Sequence, residues 1–217
     1  IMAIGDHLRD VMDLYGSPSC PHTNACLLVA GEKGIDLNCH AETDWGPSGS
    51  VRGMSPLGIG PILKDRSATN YGLISCLSYL DDKGFGPSLV HRNGVTRARM
   101  FQEMGVAAQA NVSDDASLSA ALDILDTTLG TDLGNMKGDY VCGQFTLADA
   151  CWAGVCQAAM NSGKGQAVSS RSRVNTWFAA VQSHPSTSKE AINPFSCMAT
   201  KADADAGTIR EVRVNTG

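Results

Sequence analysis

The pattern of apolar and polar positions changes near residue 88, and this change predicts two structural halves. Before it, short apolar runs over 12–15, 35–40 and 61–64 predict strands. Residues 21–33 lie between the first two runs and predict a helix. A strand, a tight turn, a helix and a second strand form a βαβ unit, whereas every periodic segment after residue 88 is helical. The pattern therefore predicts an α/β half followed by an all-α half.

Smaller segments complete the α/β half. Residues 68–71 predict a fourth short strand, and 73–80 predict a helix. The segment 45–55 is rich in Gly, Pro and Ser and predicts a loop. Residues 83–87 contain two glycines and a proline, which is typical of a linker.

Four helices are predicted in the second half. One of them presents leucines at spacings of four, three and four residues, which is the inner face of an amphipathic helix. The four predicted helices are 97–110, the helix with the leucines (Leu118, Leu122, Leu125 and Leu129), 146–160 and 172–183.

These elements divide the chain into five parts. They are an N-terminal extension (1–11), an α/β domain (12–82), a linker (83–90), an all-helical domain (91–192) and a C-terminal tail (193–217). The tail fits no helix, but 208–214 alternates as a strand does. An exposed strand can extend the sheet of another protein, so the tail is a candidate contact for a protein partner.

The third helix of the second half has the clearest start signal in the chain. Thr146 and Asp149 have the spacing of a capping box, in which each side chain bonds the backbone N–H of the other residue. Residues 148–160 are almost wholly apolar, which predicts a helix that is buried on all sides. The cap alone predicts that replacing Asp149 costs about 1 kcal/mol or more.

Composition excludes several classes of function. The net charge is −5 and the pI is near 5.4, and no basic stripe is present that could neutralise phosphates. We therefore expect neither a nucleic-acid partner nor an anionic membrane partner. No apolar run reaches the roughly 18 residues that a membrane span needs, so no membrane-spanning segment is predicted. We expect a soluble protein in the cytoplasm. Because the chain begins at Ile1, an organelle reached after loss of a targeting peptide is the alternative.

The eight cysteines are interpreted as thiols. Several lie in apolar helical stretches of a long chain, which favours buried thiols in a reducing compartment. No C-x-x-C pair and no zinc-type spacing occurs, so no metal site is predicted. The cysteines are Cys20, Cys26, Cys39, Cys76, Cys142, Cys151, Cys156 and Cys197.

Several motifs, taken in order, resemble the cytosolic glutathione transferase superfamily over roughly residues 12–190. They are MDLYGSP (12–18), SPLGIGPIL (55–63), YLDD (79–82), FTLAD (145–149), NTWF (175–178) and HPS (184–186). The resemblance implies a thioredoxin-like glutathione-binding domain and an all-α C-terminal domain. It also implies glutathione as cosubstrate, a small electrophile or disulfide as second substrate, and a homodimer.

Cys20 is the candidate reactive residue. It directly precedes Pro21 at the predicted start of the first helix, where N–H groups and the helix dipole stabilise a thiolate. Cysteine-type members of the family, the omega and beta classes, carry a cysteine in this place. Ser17 and Ser19 are the rival hydroxyls of a serine-type enzyme.

The resemblance also implies residues that contact glutathione. Pro61 corresponds to a cis-proline of thioredoxin-like folds, and it would present the backbone of Gly60 to the peptide bonds of glutathione. His40 and Arg52 are candidates for the glycyl carboxylate.

One part of the family pattern is missing. The family binds the γ-glutamyl end with an acid–Ser/Thr pair at a helix N-terminus. Counting without gaps places this pair at Gly72 and Leu73, and a shift of two or three residues gives Thr69 and Asn70 instead. In either case the ligand's ammonium loses its acidic partner, which costs a few kcal/mol in a closed site.

Three functions are compatible with these residues. The first is a thiol transferase that uses Cys20. The second is a non-catalytic member of the fold that serves as a binding or structural subunit of a larger assembly. The third is a serine-type transferase that conjugates glutathione through Ser17 or Ser19.

Overall fold

The computed structural model describes residues 11–66, 68–131, 138–184 and 211–212. Its sheet has the strand order β4-β3-β1-β2-β5, in which β1 and β2 are parallel and the other pairs are antiparallel. The strands are β1 (Met12–Gly16), β2 (Leu37–Ala41), β3 (Ile62–Lys64), β4 (Thr69–Tyr71) and β5 (Glu211–Val212). The four strands predicted in the α/β half are confirmed as β1 to β4, and β1 and β2 are the parallel strands of the predicted βαβ unit.

The helices follow the predicted order with shifted ends. They are α1 (Pro21–Glu32), α2 (Leu73–Lys83), α3 (Gly94–Ala108), α4 (Asp115–Gly130), α5 (Leu147–Asn161), α6 (Gly165–Ser169) and α7 (Ser172–Gln182). The prediction missed the short helix α6 and a 3-10 turn, Ser50–Gly53, inside the predicted loop. The architecture is a thioredoxin-like α/β part followed by helices, as predicted.

Helix α3 begins three residues earlier than its apolar pattern predicts, because Asn93 caps it. The Asn93 side chain accepts hydrogen bonds from the N–H groups of Val95 and Thr96, at 2.9 and 3.2 Å. An Asn cap satisfies N–H groups that have no partner within the helix. Apolar periodicity does not record such a cap.

The strand in the tail has a partner within the same chain. Glu211 and Val212 of β5 pair antiparallel with Asn38 and Leu37 of β2. β5 is therefore the edge strand of the chain's own sheet. A contact between the tail and a protein partner stays a prediction. The rest of the tail lies outside the described residues.

The cysteines that the structure describes agree with the thiol interpretation. All seven are free, and every one except Cys20 is buried. Among the described residues, no group of three His, Cys, Asp or Glu side chains could hold a metal ion. None of the helices in these parts of the chain is both long and apolar enough to cross a membrane.

Gly154 sets the distance between α1 and α5, the helices that join the two halves. A Cβ atom on Gly154 would lie 2.3 Å from the Pro21 carbonyl oxygen and 3.0 Å from the Ala25 nitrogen. Both are backbone atoms of α1, so neither can move without moving the helix. The first turn of α1 also follows Cys20, and the packing at Gly154 therefore supports the candidate site.

Gly154→Ala is expected to lower the free energy of unfolding by about 1–3 kcal/mol, because the new methyl group forces α1 and α5 apart. Chemical denaturation measures the loss. Gly105→Ala is the matched control, since Gly105 is also helical and a Cβ there has no neighbour within 4 Å. It is expected to stabilise the protein by about 0.5–1 kcal/mol. If Gly154→Ala is as stable as the wild type, the close contact is not a constraint.

Candidate active site

A cleft of about 590 Å³ opens between the turn after β1, the loop that precedes β3 and the start of α2. Gly72 and Leu73, which occupy the positions of the family's missing acid–Ser/Thr pair, lie in this cleft together with Cys20. The described residues that line it are Ser17, Cys20, His22, Thr23, Trp45, Gly58, Ile59, Gly60, Gly72 and Leu73.

Cys20 is the N-cap residue of α1 and is partly exposed. Its backbone is extended (φ −87°, ψ 120°), and its N–H donates to the Ser17 carbonyl at 3.0 Å. The thiol makes no capping hydrogen bond to the helix. Because Pro21 occupies the first turn without needing a partner for an N–H, the cysteine lies directly at the helix start, as the sequence predicts.

The turn that carries Cys20 is held by both halves of the protein. The Pro18 carbonyl accepts hydrogen bonds from the amide of Asn24 in α1, at 2.9 Å, and from that of Asn161 in α5, at 2.8 Å. Behind the turn, a Cβ on Gly16 would lie 2.3 Å from Thr23 Oγ1. Only glycine lets β1 end this close to α1, so the cysteine has a fixed support.

The two rival serines are placed differently. Ser17 lines the cleft, whereas Ser19 is exposed and is not among the described lining residues. Their hydroxyl oxygens lie 2.9 Å apart and hydrogen-bond to each other. Ser17 is therefore the better placed of the two for contact with a ligand.

His22 connects the cleft to the helical half. Its Nε2 lies 3.3 Å from the Ala108 carbonyl oxygen at the end of α3, and because a carbonyl only accepts, Nε2 is the donor. Burial lowers the pKa of His22, and the hydrogen bond to Ala108 opposes this effect only in part. The imidazole is therefore neutral at physiological pH, with its lone pair on Nδ1.

The peptide bond between Gly60 and Pro61 is cis, as the resemblance predicts. A Cβ on Gly60 would lie 2.5 Å from the indole ring of Trp45. Trp45 is fixed by a hydrogen bond from its Nε1 to the Glu42 carbonyl, at 2.9 Å. The indole thus occupies the space that a side chain at position 60 would need, which explains the glycine there.

The residues at the start of α2 that line the cleft carry neither a carboxylate nor a hydroxyl. Gly72 precedes the helix with φ +80°, and Leu73 is its first residue; both line the cleft. Thr69 and Asn70 belong to β4 and are not among the described lining residues, and the Asn70 side chain accepts from the Ser75 hydroxyl at 3.3 Å. Gly72 and Leu73, the residues of the ungapped count, are thus the ones that line the cleft, and the assignment of Thr69 and Asn70 to glutathione stays a prediction.

The structure does not bring His40 and Arg52 to the cleft. His40 lies on β2, with its Nε2 3.0 Å from an Asp13 carboxylate oxygen and its ring stacked on Tyr15 at 4.5 Å. Arg52 is exposed in the 3-10 turn. Neither is among the described lining residues, so their assignment to the glycyl carboxylate stays a prediction.

Sequence reasoning missed Trp45 and Ile59 as parts of the site. Both lie in the loop between β2 and β3, where no apolar period marks a position. The only available signal was a single tryptophan in a stretch rich in Gly, Pro and Ser. Among the described lining residues there is no Asp, Glu, Lys or Arg, which makes the surface of the cleft mostly apolar.

Comparison with known proteins finds the same architecture. No protein-family model and no curated protein sequence matches the chain. Solved structures match over most of the chain. One is a delta-class glutathione transferase of Nilaparvata lugens, with 21% identity and a TM-score of 0.67. The match covers 85% of this chain and 94% of the Nilaparvata lugens chain. A glutathione S-transferase of Methylobacillus flagellatus with glutathione bound has 18% identity and a TM-score of 0.64, covering 81% and 96%.

Poplar glutathione transferase F1 is also similar, with 21% identity and a TM-score of 0.64 over 81% of this chain and 94% of that one. These matches include plant, insect and bacterial proteins at similar distances. At such identities the likeness concerns the backbone and carries no site residue with it. The chain has the fold of the glutathione transferases.

Proposed function

We propose that this protein is a cysteine-type, glutathione transferase-like enzyme that catalyses thiol–disulfide exchange at Cys20. The observation that carries the proposal is the position of the Cys20 thiol, partly exposed at the start of α1 and facing a cleft of about 590 Å³. N–H groups at a helix start stabilise a thiolate, and the thiolate is the nucleophile in exchange.

The reaction consists of two exchanges. The Cys20 thiolate attacks one sulfur of a small disulfide; the S–S bond breaks as the new bond to Cys20 forms, and the leaving thiolate takes a proton from water. Glutathione then attacks the substrate-derived sulfur of this mixed disulfide and releases the Cys20 thiolate. The disulfide is reduced and the thiol of glutathione is oxidised, so electrons balance.

Cys20→Ser is expected to reduce exchange between a small disulfide and glutathione to the background rate of the mixture, a loss of about 100-fold or more. Ser17→Ala and Ser19→Ala are the matched controls and are expected to keep most of the activity. Peptide mapping by mass spectrometry is expected to find the mixed disulfide on Cys20. Activity that survives Cys20→Ser but not Ser17→Ala would assign the reaction to a serine-type mechanism.

A non-catalytic role as a binding or structural subunit is the second candidate. The observation that favours it is the start of α2, where Gly72 and Leu73 offer no carboxylate or hydroxyl to the γ-glutamyl end of glutathione. Titration calorimetry with glutathione, beside the exchange assay, separates the two candidates. A chain that neither exchanges nor binds glutathione is the binding or structural protein. A homodimer and a cytoplasmic location stay predictions from the resemblance and the composition.

A further inference from the structure

We infer that the disulfide that reacts with Cys20 is uncharged and apolar, and that the cleft selects it over glutathione disulfide. The inference rests on the proposed exchange at Cys20 and names its substrate class. It follows from the lining of the cleft, whose described residues include no Asp, Glu, Lys or Arg.

Apart from the Cys20 thiolate itself, no described residue that lines the cleft carries a side chain that is charged at physiological pH. His22 is the one imidazole among the described lining residues, and burial lowers its pKa, so the ring is neutral. At the start of α2, where N–H groups favour an anion, the buried side chain of Leu73 lines the cleft instead of a polar partner. An ammonium placed here loses water and meets no carboxylate among the described lining residues, and a carboxylate meets no cationic side chain.

The apolar side chains in the cleft favour binding of an apolar disulfide, because its groups can be buried against them. Trp45, Ile59 and Leu73 present an indole ring and two aliphatic side chains to the same space as the Cys20 thiol. The volume of about 590 Å³ is in the range of sites that hold small organic ligands. A disulfide with aromatic or aliphatic groups on its sulfurs can therefore bury them against this wall while Cys20 attacks.

Selectivity is tested with three disulfides: uncharged dipyridyl disulfide, cationic cystamine and anionic glutathione disulfide. The rate at Cys20 is taken as the difference between the wild type and Cys20→Ser, which removes any contribution from Cys197. Each rate is divided by that of an unstructured cysteine peptide, which removes intrinsic reactivity. We expect the normalised rate for the uncharged disulfide to exceed each of the others by roughly tenfold or more.

The outcomes separate the inference from the function on which it rests. A normalised rate for glutathione disulfide or cystamine that equals or exceeds that of dipyridyl disulfide overturns the selectivity and leaves exchange at Cys20 intact. If Cys20 reacts with none of the three, the proposed function itself fails, and the inference fails with it.

A charge placed in the cleft gives a second test. Ile59 lines the cleft and is 45% exposed, so Ile59→Arg introduces a cation without disturbing the core. We expect it to raise the normalised rate with glutathione disulfide about threefold or more at physiological salt. Leu57→Arg, on the same loop at a residue that is 62% exposed and outside the described lining, is the control and is expected to change it little. No gain from Ile59→Arg contradicts the inference.

Discussion

Replacing Asp149 by alanine is expected to lower the free energy of unfolding by about 3–5 kcal/mol, well beyond the loss of a helix cap. Asp149 is fully buried, and its carboxylate accepts hydrogen bonds from both the N–H and the hydroxyl of Thr146, each at 3.0 Å. It also accepts from the Val141 N–H at 2.9 Å and from the Trp177 indole at 3.0 Å. Alanine would leave all of these donors buried without an acceptor.

Denaturant unfolding of Asp149→Ala measures this loss, and Asp114→Ala is the matched control. Asp114 caps α4 in an exposed position, with one hydrogen bond to the Ala116 N–H at 3.1 Å. Its loss is expected to be about 1 kcal/mol. Burial raises the pKa of Asp149 to about 6, so the comparison belongs near pH 8, where the carboxyl is ionised. Equal losses in the two variants would mean that Asp149 is only a cap.

The network around Asp149 shows how far local sequence reasoning reaches. The three-residue spacing to Thr146 predicts the capping box, which the structure confirms. Nothing local predicts the bonds from Val141 and Trp177, because these come from a preceding loop and from α7. The cap alone predicts a cost of about 1 kcal/mol or more for replacing Asp149, and the bonds from Val141 and Trp177 raise the expected loss.

In the candidate site, too, local sequence predicts some residues, whereas others depend on contacts between distant parts of the chain. Cys20, Gly60 and Gly72 follow from turns and helix starts that the sequence marks, and all three line the cleft. His40 alternates with the buried Cys39 along β2, and it faces Tyr15 instead of the cleft. Trp45 reaches the site through the fold of a loop, whose course depends on contacts distant in sequence such as that with Gly60.

Replacing Lys33 by methionine is expected to destabilise the protein by about 3–5 kcal/mol, because it leaves a buried carboxylate without its cation. The Lys33 side chain is 2% exposed, and its Nζ lies 3.0 Å from an Asp81 carboxylate oxygen. The same ammonium donates to the Pro87 carbonyl at 3.0 Å. On the other side, Asp81 accepts from the Ser88 hydroxyl at 2.6 Å and from the Leu89 N–H at 2.8 Å.

This ion pair joins the end of α1 to α2 and to the segment that leads into the helical half. Lys83→Met is the matched control on α2, because the Lys83 side chain is 47% exposed in its ion pair with Asp65, and little change is expected there. Adding Asp81→Asn to Lys33→Met is expected to recover part of the loss, since it removes the unpaired charge and keeps an acceptor for Leu89. A double variant less stable than Lys33→Met would contradict this account.

The pH dependence of the Lys33→Met loss provides an independent check of the ion pair. Burial tends to raise the pKa of Asp81, but hydrogen bonds from Leu89, Ser88 and Lys33 together hold it below its ordinary value. In the wild type, the stability from this carboxylate is present above the unfolded pKa of about 4 and is lost as pH falls through the lower folded pKa. In folded Lys33→Met the ammonium is missing, so Asp81 becomes protonated more readily than in the folded wild type, and protonation removes the unpaired charge. The difference in unfolding free energy between the wild type and Lys33→Met is therefore expected to narrow in acid. A difference that stays constant from about pH 7 to pH 3 would show that packing, not charge, causes the loss.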